Sequence, residues 1–189
     1  MTAQHQCDGT ISPGAAGALE KVLNTRKFNH APGGWLTRTT EQLQADYDAR
    51  ARWTLKLHRC KVHADPGPED LAIDFGLYDN SDLVGNGRIS NMHPYEMGIE
   101  AHAGFMKAYI FAECVSPQLK GSQERPARIR GTLNVGTPVP SDTVATREAN
   151  LTVLHSVALA VVKKLGCENN AGLPDKPVLK AKSITHSAG

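Results

Sequence analysis

The distribution of apolar positions predicts one helix near each end of the chain. Ser12-Pro13 is a typical helix start, because serine caps the first turn and proline fits its first position, where a backbone N–H has no partner. The apolar residues that follow recur on one helical face and predict a helix to about Thr25. A broad apolar stripe predicts the last helix, which begins between residues 141 and 146 and ends at Leu165.

A second helix is predicted after the first. Thr39-Thr40-Glu41-Gln42 matches a capping box, in which a threonine and a glutamate or glutamine three residues later cap each other's backbone N–H groups. We expect the helix to begin there and to run through Ala51. Its apolar face is thin and consists of Leu43 and Tyr47.

Alternating apolar and polar residues predict a block of strands between these helices. The predicted strands cover residues 53–62, 71–78, 105–114 and 127–135. In the first of them the alternation shifts near His58-Arg59, which indicates a bulge. Residues 79–104 are predicted to be a long irregular loop.

Strands in a block, flanked by helices, are typical of the α+β class. We therefore expect an antiparallel sheet of about four or more strands, with the N-terminal and C-terminal helices packed on one face. A single domain is predicted over residues 1–168, followed by an extended tail over residues 169–189.

The composition excludes two classes of partner. The chain has 21 Lys and Arg residues against 19 Asp and Glu, a formal net charge of +2. Because the basic residues are scattered along the sequence, we expect no nucleic-acid partner. The longest apolar run, Val157–Val162, is far too short to cross a bilayer, so we expect no membrane insertion of this chain.

The four cysteines are placed where cross-links would tie elements together. Cys7 precedes a predicted helix, Cys60 lies in a strand, Cys114 ends a strand and Cys167 follows the last helix. Their spacing excludes Cys-x-x-Cys zinc or redox motifs. Of the three possible connectivities we favour the sequential pairs, Cys7–Cys60 and Cys114–Cys167; the alternative is four free thiols.

Disulfides also bear on the compartment. They persist in oxidising compartments, so we expect an extracytoplasmic protein, with a cytoplasmic one as the alternative. The first residues lack the basic and apolar regions of a signal peptide. An extracytoplasmic location therefore implies that a signal peptide or an N-terminal anchor has been removed.

The predicted loop over residues 79–104 holds the candidate catalytic residues. These are His93, Tyr95, Glu96 and His102. A histidine near a carboxylate and a tyrosine is a general-base arrangement, and long irregular loops are often functional. The alternative is an ordinary surface loop with solvated polar residues.

Other chemistry finds little support in the sequence. In His58-x-Cys60-x-x-His63 the two histidines would project from opposite faces of a strand, so we expect no metal site there. The sequence has neither a Gly-x-Ser-x-Gly elbow nor a glycine-rich phosphate loop, and we expect no cofactor.

Three short segments resemble secreted proteins and lipoproteins of actinobacteria. They are Cys7-Asp-Gly-Thr-Ile-Ser-Pro13, Cys60-Lys-Val62 and Leu154-His-Ser-Val-Ala-Leu-Ala-Val-Val-Lys-Lys-Leu-Gly-Cys167. The resemblance implies an envelope location and helices on an antiparallel sheet. Our hypothesis is a non-enzymatic, extracytoplasmic binding or envelope-accessory domain for an unknown protein or small molecule. The alternative is a hydrolase or lyase that uses the histidines and the glutamate of residues 79–104.

Overall fold

The protein is an α+β domain in which helices cover one face of a six-stranded antiparallel sheet. The computed structural model describes residues 1–68, 70–85, 90–136 and 140–183. Its helices are α1 (Pro13–Val22), α2 (Trp35–Asp48) and α3 (Val144–Lys164). Its strands are β1 (Arg59–His63), β2 (Asp70–Leu77), β3 (His93–Tyr95), β4 (Glu100–Ala103), β5 (Lys107–Cys114) and β6 (Ala127–Val135), in the order β1-β2-β6-β5-β4-β3. The predicted fold class is confirmed.

Helix α3 lies at the centre of the core. It packs on β4, β5 and β6, α1 packs against it, and α2 lies beside it on β2. Eleven of its 21 residues are buried, more than a single amphipathic stripe would give. Leu151 and Leu154 are fully buried, and burial stabilises the fold by about 2 kcal/mol for each such side chain.

The predicted start of α1 and both predicted ends of α3 are confirmed, whereas α1 ends at Val22, before the predicted Thr25. The Ser12 hydroxyl accepts a hydrogen bond from the Ala15 N–H, and proline occupies the first position of α1. Thr143 caps α3 in the same way. Gly166, at φ 68°, ends it in the left-handed conformation that glycine adopts without strain.

The predicted start of α2 is wrong. The helix begins at Trp35 because Asp8 caps it from another part of the chain. The Asp8 carboxylate accepts from the backbone N–H groups of Gly34 at 3.0 Å and Leu36 at 2.7 Å. The threonines of the expected capping box lie inside the helix, where Thr40 donates to the Leu36 carbonyl.

The first predicted strand is also wrong over residues 53–57. That segment is irregular, and β1 begins only at Arg59, so no bulge lies before it. Leu55 is 88 % exposed, although the alternation suggested an inward-facing side chain. The Thr54 hydroxyl accepts the Leu77 N–H and so replaces a ladder hydrogen bond at the end of β2.

Residues 79–104 are more regular than predicted. They contain β3 and β4, the last two strands at one side of the sheet. Both are too short for a clear alternation, with three and four residues. Residues 86–89 of this segment lie outside the described part of the chain.

The C-terminal segment packs on the domain. Residues 168–172 form a short 3-10 turn, after which Leu173 is buried. The Lys182 N–H donates to the Pro94 carbonyl, and the Glu96 N–H donates to the Lys180 carbonyl, so residues 180–182 lie along β3. Residues 184–189 of the predicted tail are outside the described range.

Two disulfides tie the layers together, and they join the sequential pairs that the sequence favoured. Cys7–Cys60 links the N-terminal turn to the edge strand β1, and Cys114–Cys167 links the end of β5 to the residue after the α3 cap. Each closes a loop with a sequence separation of 53. Closing loops of this length removes about 4 kcal/mol of chain entropy from the unfolded state.

Candidate functional site

The four candidate catalytic residues do not form one site. In the β3–β4 register Pro94 lies opposite His102 and Tyr95 lies opposite Ala101. Because opposed residues share a face, His93 and Tyr95 face the helices, whereas His102 projects from the other side of the sheet. Glu96 is exposed beyond the end of β3.

Tyr95, on the helical side of the sheet, and Glu96, at its rim, each contact a residue that stabilises the fold. Tyr95 is buried and hydrogen-bonds to Arg147 of α3; burial raises the pKa of the phenol, and Arg147 opposes that rise. The Glu96 carboxylate lies 3.0 Å from the ammonium of Lys180, which belongs to the C-terminal segment along β3. These contacts hold α3 and the C-terminal segment against the sheet.

On the other face, His102 forms a buried pair with Glu100. Its Nε2 lies 2.7 Å from a Glu100 oxygen, and the same carboxylate accepts the N–H groups of Val84 and Gly85. Three donors therefore satisfy the carboxylate and clamp residues 84–85 over β4. His102 is fully buried, so a substrate has no access to it.

A more open site lies at the other end of the sheet, around the Cys7–Cys60 disulfide. The disulfide brings Asp8 next to the first turn of α2, and Asp8 caps that turn. Trp35, the first residue of α2, is buried and donates its indole N–H to the His58 carbonyl at 3.0 Å. The N-terminal turn, α2 and β1 thus enclose a cleft of about 230 Å³ beside the sheet edge.

The cleft is basic. Five of the side chains that line it carry or can take up a positive charge: His30, Arg38, Arg59, Lys61 and His63. Arg59, Lys61 and His63 are exposed positions of β1, and they alternate with the buried Cys60 and Val62. We call this feature the basic cleft.

The carboxylate in the basic cleft already accepts hydrogen bonds from the protein. Asp8 is the only carboxylate among the residues that line the basic cleft, and its two oxygens accept the Gly34 and Leu36 N–H groups. Arg59 reaches out of the cleft to Asp74, whose carboxylate is 3.3 Å away. Burial raises the pKa of Asp74, and the hydrogen bond and charge of Arg59 counteract that rise.

Other cations of the cleft remain available. The Lys61 ammonium has no hydrogen-bond or ion-pair partner among the described residues. Arg38 donates one N–H to the Gly33 carbonyl at 3.2 Å, which leaves its other donors available. β1 is the edge strand of the sheet, and at its end the His63 carbonyl accepts the Asn29 N–H.

Sequence reasoning missed this cluster because its members come from three separate segments. His30, Arg38 and the β1 residues converge only when the disulfide and α2 are in place. One signal was present: residues 49–64 contain five Lys or Arg residues and neither Asp nor Glu. That run is basic even though the whole chain is nearly neutral.

A second groove, of about 720 Å³, lies between the start of α1, the outer side of α3 and residues 175–177. Its buried polar groups are already used. The Ser156 hydroxyl donates to the Thr10 carbonyl and accepts the Ser12 N–H, and His155 Nε2 lies 2.7 Å from the Pro174 carbonyl. These bonds hold the neighbouring segments together, and the charged residues of the groove are Lys163, Asp175 and Lys176.

Metal coordination is unsupported across the described ranges, where no group of three or more His, Cys, Asp and Glu side chains is arranged to hold an ion. Cys60, the sulfur of the histidine–cysteine motif, is oxidised in a disulfide. None of the described helices combines the length and apolarity needed to cross a bilayer.

Comparison with protein-family models, with curated proteins and with solved structures gave no match to this chain. We therefore infer the function of the chain from the geometry of its own residues.

Proposed function

We propose that this protein is an extracytoplasmic, non-enzymatic binding domain, and that its basic cleft binds a small anion or the anionic group of a larger ligand. The observation that carries the proposal is the imbalance of charge in the cleft. Arg59 is paired with Asp74 outside the cleft, so four basic or titratable side chains remain against one carboxylate, and that carboxylate is already bound by the α2 backbone. An anion would complete this arrangement, because charge-assisted hydrogen bonds are about twice as strong as neutral ones.

The size of the cleft narrows the class of ligand. A volume of about 230 Å³ suits a phosphate, sulfate or carboxylate group rather than a whole drug-sized molecule. Arg38 offers a planar set of donors that matches such oxyanions, and Lys61 adds a mobile point charge. The ligand is thus expected to be a small oxyanion or a group of that kind on a larger molecule.

The alternative, a hydrolase or lyase, receives less support. It needs a base, a carboxylate and a substrate pocket at one place. Here the fully buried His102 lies on the opposite face of the sheet from His93 and Tyr95. Binding without catalysis is therefore the function that we propose.

An NMR titration of the folded protein with inorganic phosphate at constant ionic strength tests the anion site. We expect saturable shifts of the Trp35 indole N–H and of the backbone amides of residues 59–63, because these groups border the cleft. Amides around the larger groove, such as that of Leu159, serve as the internal control. Shifts that are linear in phosphate or spread evenly over the surface would contradict the proposal.

The proposed location has its own support and its own test. Two disulfides in a domain of this size fit an oxidising compartment. Alkylation of the unreduced protein, isolated in the presence of the alkylating agent, should modify none of the four cysteines. Modification of all four would place the chain in a reducing compartment.

A further inference from the structure

Two large apolar side chains project from the surface between α2 and β1. Leu55 is 88 % exposed, the highest value among the large hydrophobic residues that are described, and Trp53 is 53 % exposed. Both lie in residues 52–56, which we call the Trp53 tip. An exposed tryptophan next to an exposed leucine is typical of a contact site.

The Trp53 tip is fixed in this position by its neighbours. The Thr54 hydroxyl accepts the Leu77 N–H at 3.0 Å. Arg52 donates two hydrogen bonds to one oxygen of Asp79, at 3.1 and 2.9 Å. The polar residues of the segment are thus tied to the domain, while its two largest apolar side chains are held outward.

Basic residues outnumber acidic ones around the tip, where Asp79 pairs with Arg52. From residue 49 to residue 64 the sequence has no acidic residue. The side chains of Arg50 and Lys56 form no hydrogen bond or ion pair with the described residues. The Arg52 guanidinium lies 5.5 Å from the centroid of the Trp53 ring, a cation–π distance. Free cations therefore flank the exposed apolar pair.

We propose that the Trp53 tip binds the surface of an anionic membrane. Trp53 and Leu55 enter the headgroup region, and Arg50 and Lys56 lie against lipid phosphates. Tryptophan and leucine beside lysine and arginine are the composition of segments that lie in the interface of an anionic bilayer. The contact is peripheral and does not depend on the proposed anion site in the basic cleft.

The same features argue against a protein partner. Lysine is depleted at protein–protein interfaces, whereas here the unpaired Lys56 lies directly beside Leu55. Leu55, at 88 % exposure, also projects from the surface instead of lining a groove. A bilayer interface accepts such a tip without a matching shape.

Vesicle flotation of the full chain tests this inference. We expect binding to vesicles of equimolar phosphatidylcholine and phosphatidylglycerol at low salt, at least tenfold weaker binding to phosphatidylcholine alone, and weakening as salt is raised. Lipids with brominated acyl chains should quench Trp53 and spare Trp35, which is only 3 % exposed. These two are the only tryptophans in the chain.

Variants locate the contact. Trp53→Ser with Leu55→Ser should reduce vesicle binding at least tenfold, and Arg50→Gln with Lys56→Gln should remove the preference for anionic lipid. The matched control is Ile99→Ser with Val144→Ser, which changes two apolar residues that are 47 % and 56 % exposed elsewhere. Each variant should keep the wild-type thermal unfolding midpoint.

Three results would overturn the inference: no binding of the wild type to the anionic vesicles, equal binding by the serine variant of the tip, or equal loss in the control. Sedimentation velocity tests the competing partner, which is a second copy of the chain. Self-association that requires Trp53, in a protein that ignores vesicles, would assign the tip to a contact between copies of the chain.

Discussion

At the scale of single residues, a few buried polar side chains connect segments that are far apart in sequence. Asn150 of α3 is fully buried, and its amide nitrogen donates to the carbonyls of Gly104 and Phe105, the turn between β4 and β5. The tripeptide Asn150-Leu-Thr152 matches a glycosylation acceptor, but this burial removes the acceptor nitrogen from the surface. Asn150 therefore holds α3 against the turn between β4 and β5.

Asn150→Asp should therefore destabilise the protein by at least about 2 kcal/mol, because it replaces a donor with an acceptor that faces two carbonyl oxygens. Urea denaturation at neutral pH measures the effect. The exposed Asn24→Asp is the matched control and should change the free energy of unfolding by less than about 0.5 kcal/mol. Equal effects at the two sites would contradict the role of Asn150.

His155 makes a second prediction at this scale. Burial lowers the pKa of its imidazole below the ordinary 6.5, and the hydrogen bond to Pro174 opposes that shift. As the pH falls below about 6.5, the unfolded chain takes up this proton before the folded one does. The stability that His155 contributes is complete above that pH and is lost as the pH falls through the lowered pKa.

The unfolding midpoint of the wild type should accordingly fall more between pH 7.5 and pH 5.5 than that of His155→Gln. The variant should be less stable at pH 7.5, since it loses the geometry of the bond to Pro174. Thermal denaturation at the two pH values measures the difference. Parallel decreases in the two proteins would show that another group is responsible.

At the scale of elements, α2 depends on a cap supplied from a distant segment. Asp8→Ala should destabilise the protein by about 1 kcal/mol, because two N–H groups of the first turn lose their acceptor and the helix dipole loses a favourable charge. Asp48→Ala, at the opposite end of α2, is the control and should not destabilise, because a carboxylate there is unfavourable to the dipole. A neutral Asp8→Ala would disprove the cap.

This cap also shows which elements could be predicted. The start of α1 and the end of α3 follow from local signals, Ser12-Pro13 and Gly166, and the sequence was sufficient for them. The start of α2 depends on a residue that lies 27 positions before Trp35, so a local capping box suggested the wrong place. Alternation over residues 53–57 was also misleading, since Trp53 and Leu55 project outward.

Strand β4 and the basic cleft could not be predicted from local sequence either. β4 alternates polar Glu100 and His102 with two alanines, so its buried positions carry no hydrophobic signal. The basic cleft draws on segments that the chain brings together only through Cys7–Cys60. Neither feature could be read from local periodicity.

At the scale of the whole molecule, each disulfide joins a strand to a segment outside the sheet. Cys7–Cys60 joins the N-terminal turn to β1, and Cys114–Cys167 joins the end of β5 to the segment after α3. Because both close loops with a separation of 53, the chain-entropy model gives them equal contributions. Cys7→Ser with Cys60→Ser, and Cys114→Ser with Cys167→Ser, should each lower the free energy of unfolding by about 2–5 kcal/mol. Denaturation of the two double variants measures this, and an unchanged stability in either would contradict the model.

The first of these variants also bears on function, because Cys7–Cys60 holds Asp8 and β1 together at the basic cleft. Although the whole chain is nearly neutral, its positive charge is unevenly distributed. The acid-free segment 49–64 contains the Trp53 tip and the β1 residues that line the cleft. We therefore expect anion recognition at this segment and the cleft that it borders.

Calorimetric titration of phosphate tests the central claim most directly, with the wild type, Arg38→Gln with Lys61→Gln, and the control Lys21→Gln with Lys176→Gln. The control removes the same charge away from the cleft. We predict one saturable site in the wild type and the control, and a loss of affinity of at least tenfold, about 1.4 kcal/mol, in the cleft variant. Equal affinity in the three proteins, or no saturable site in the wild type, would contradict the account.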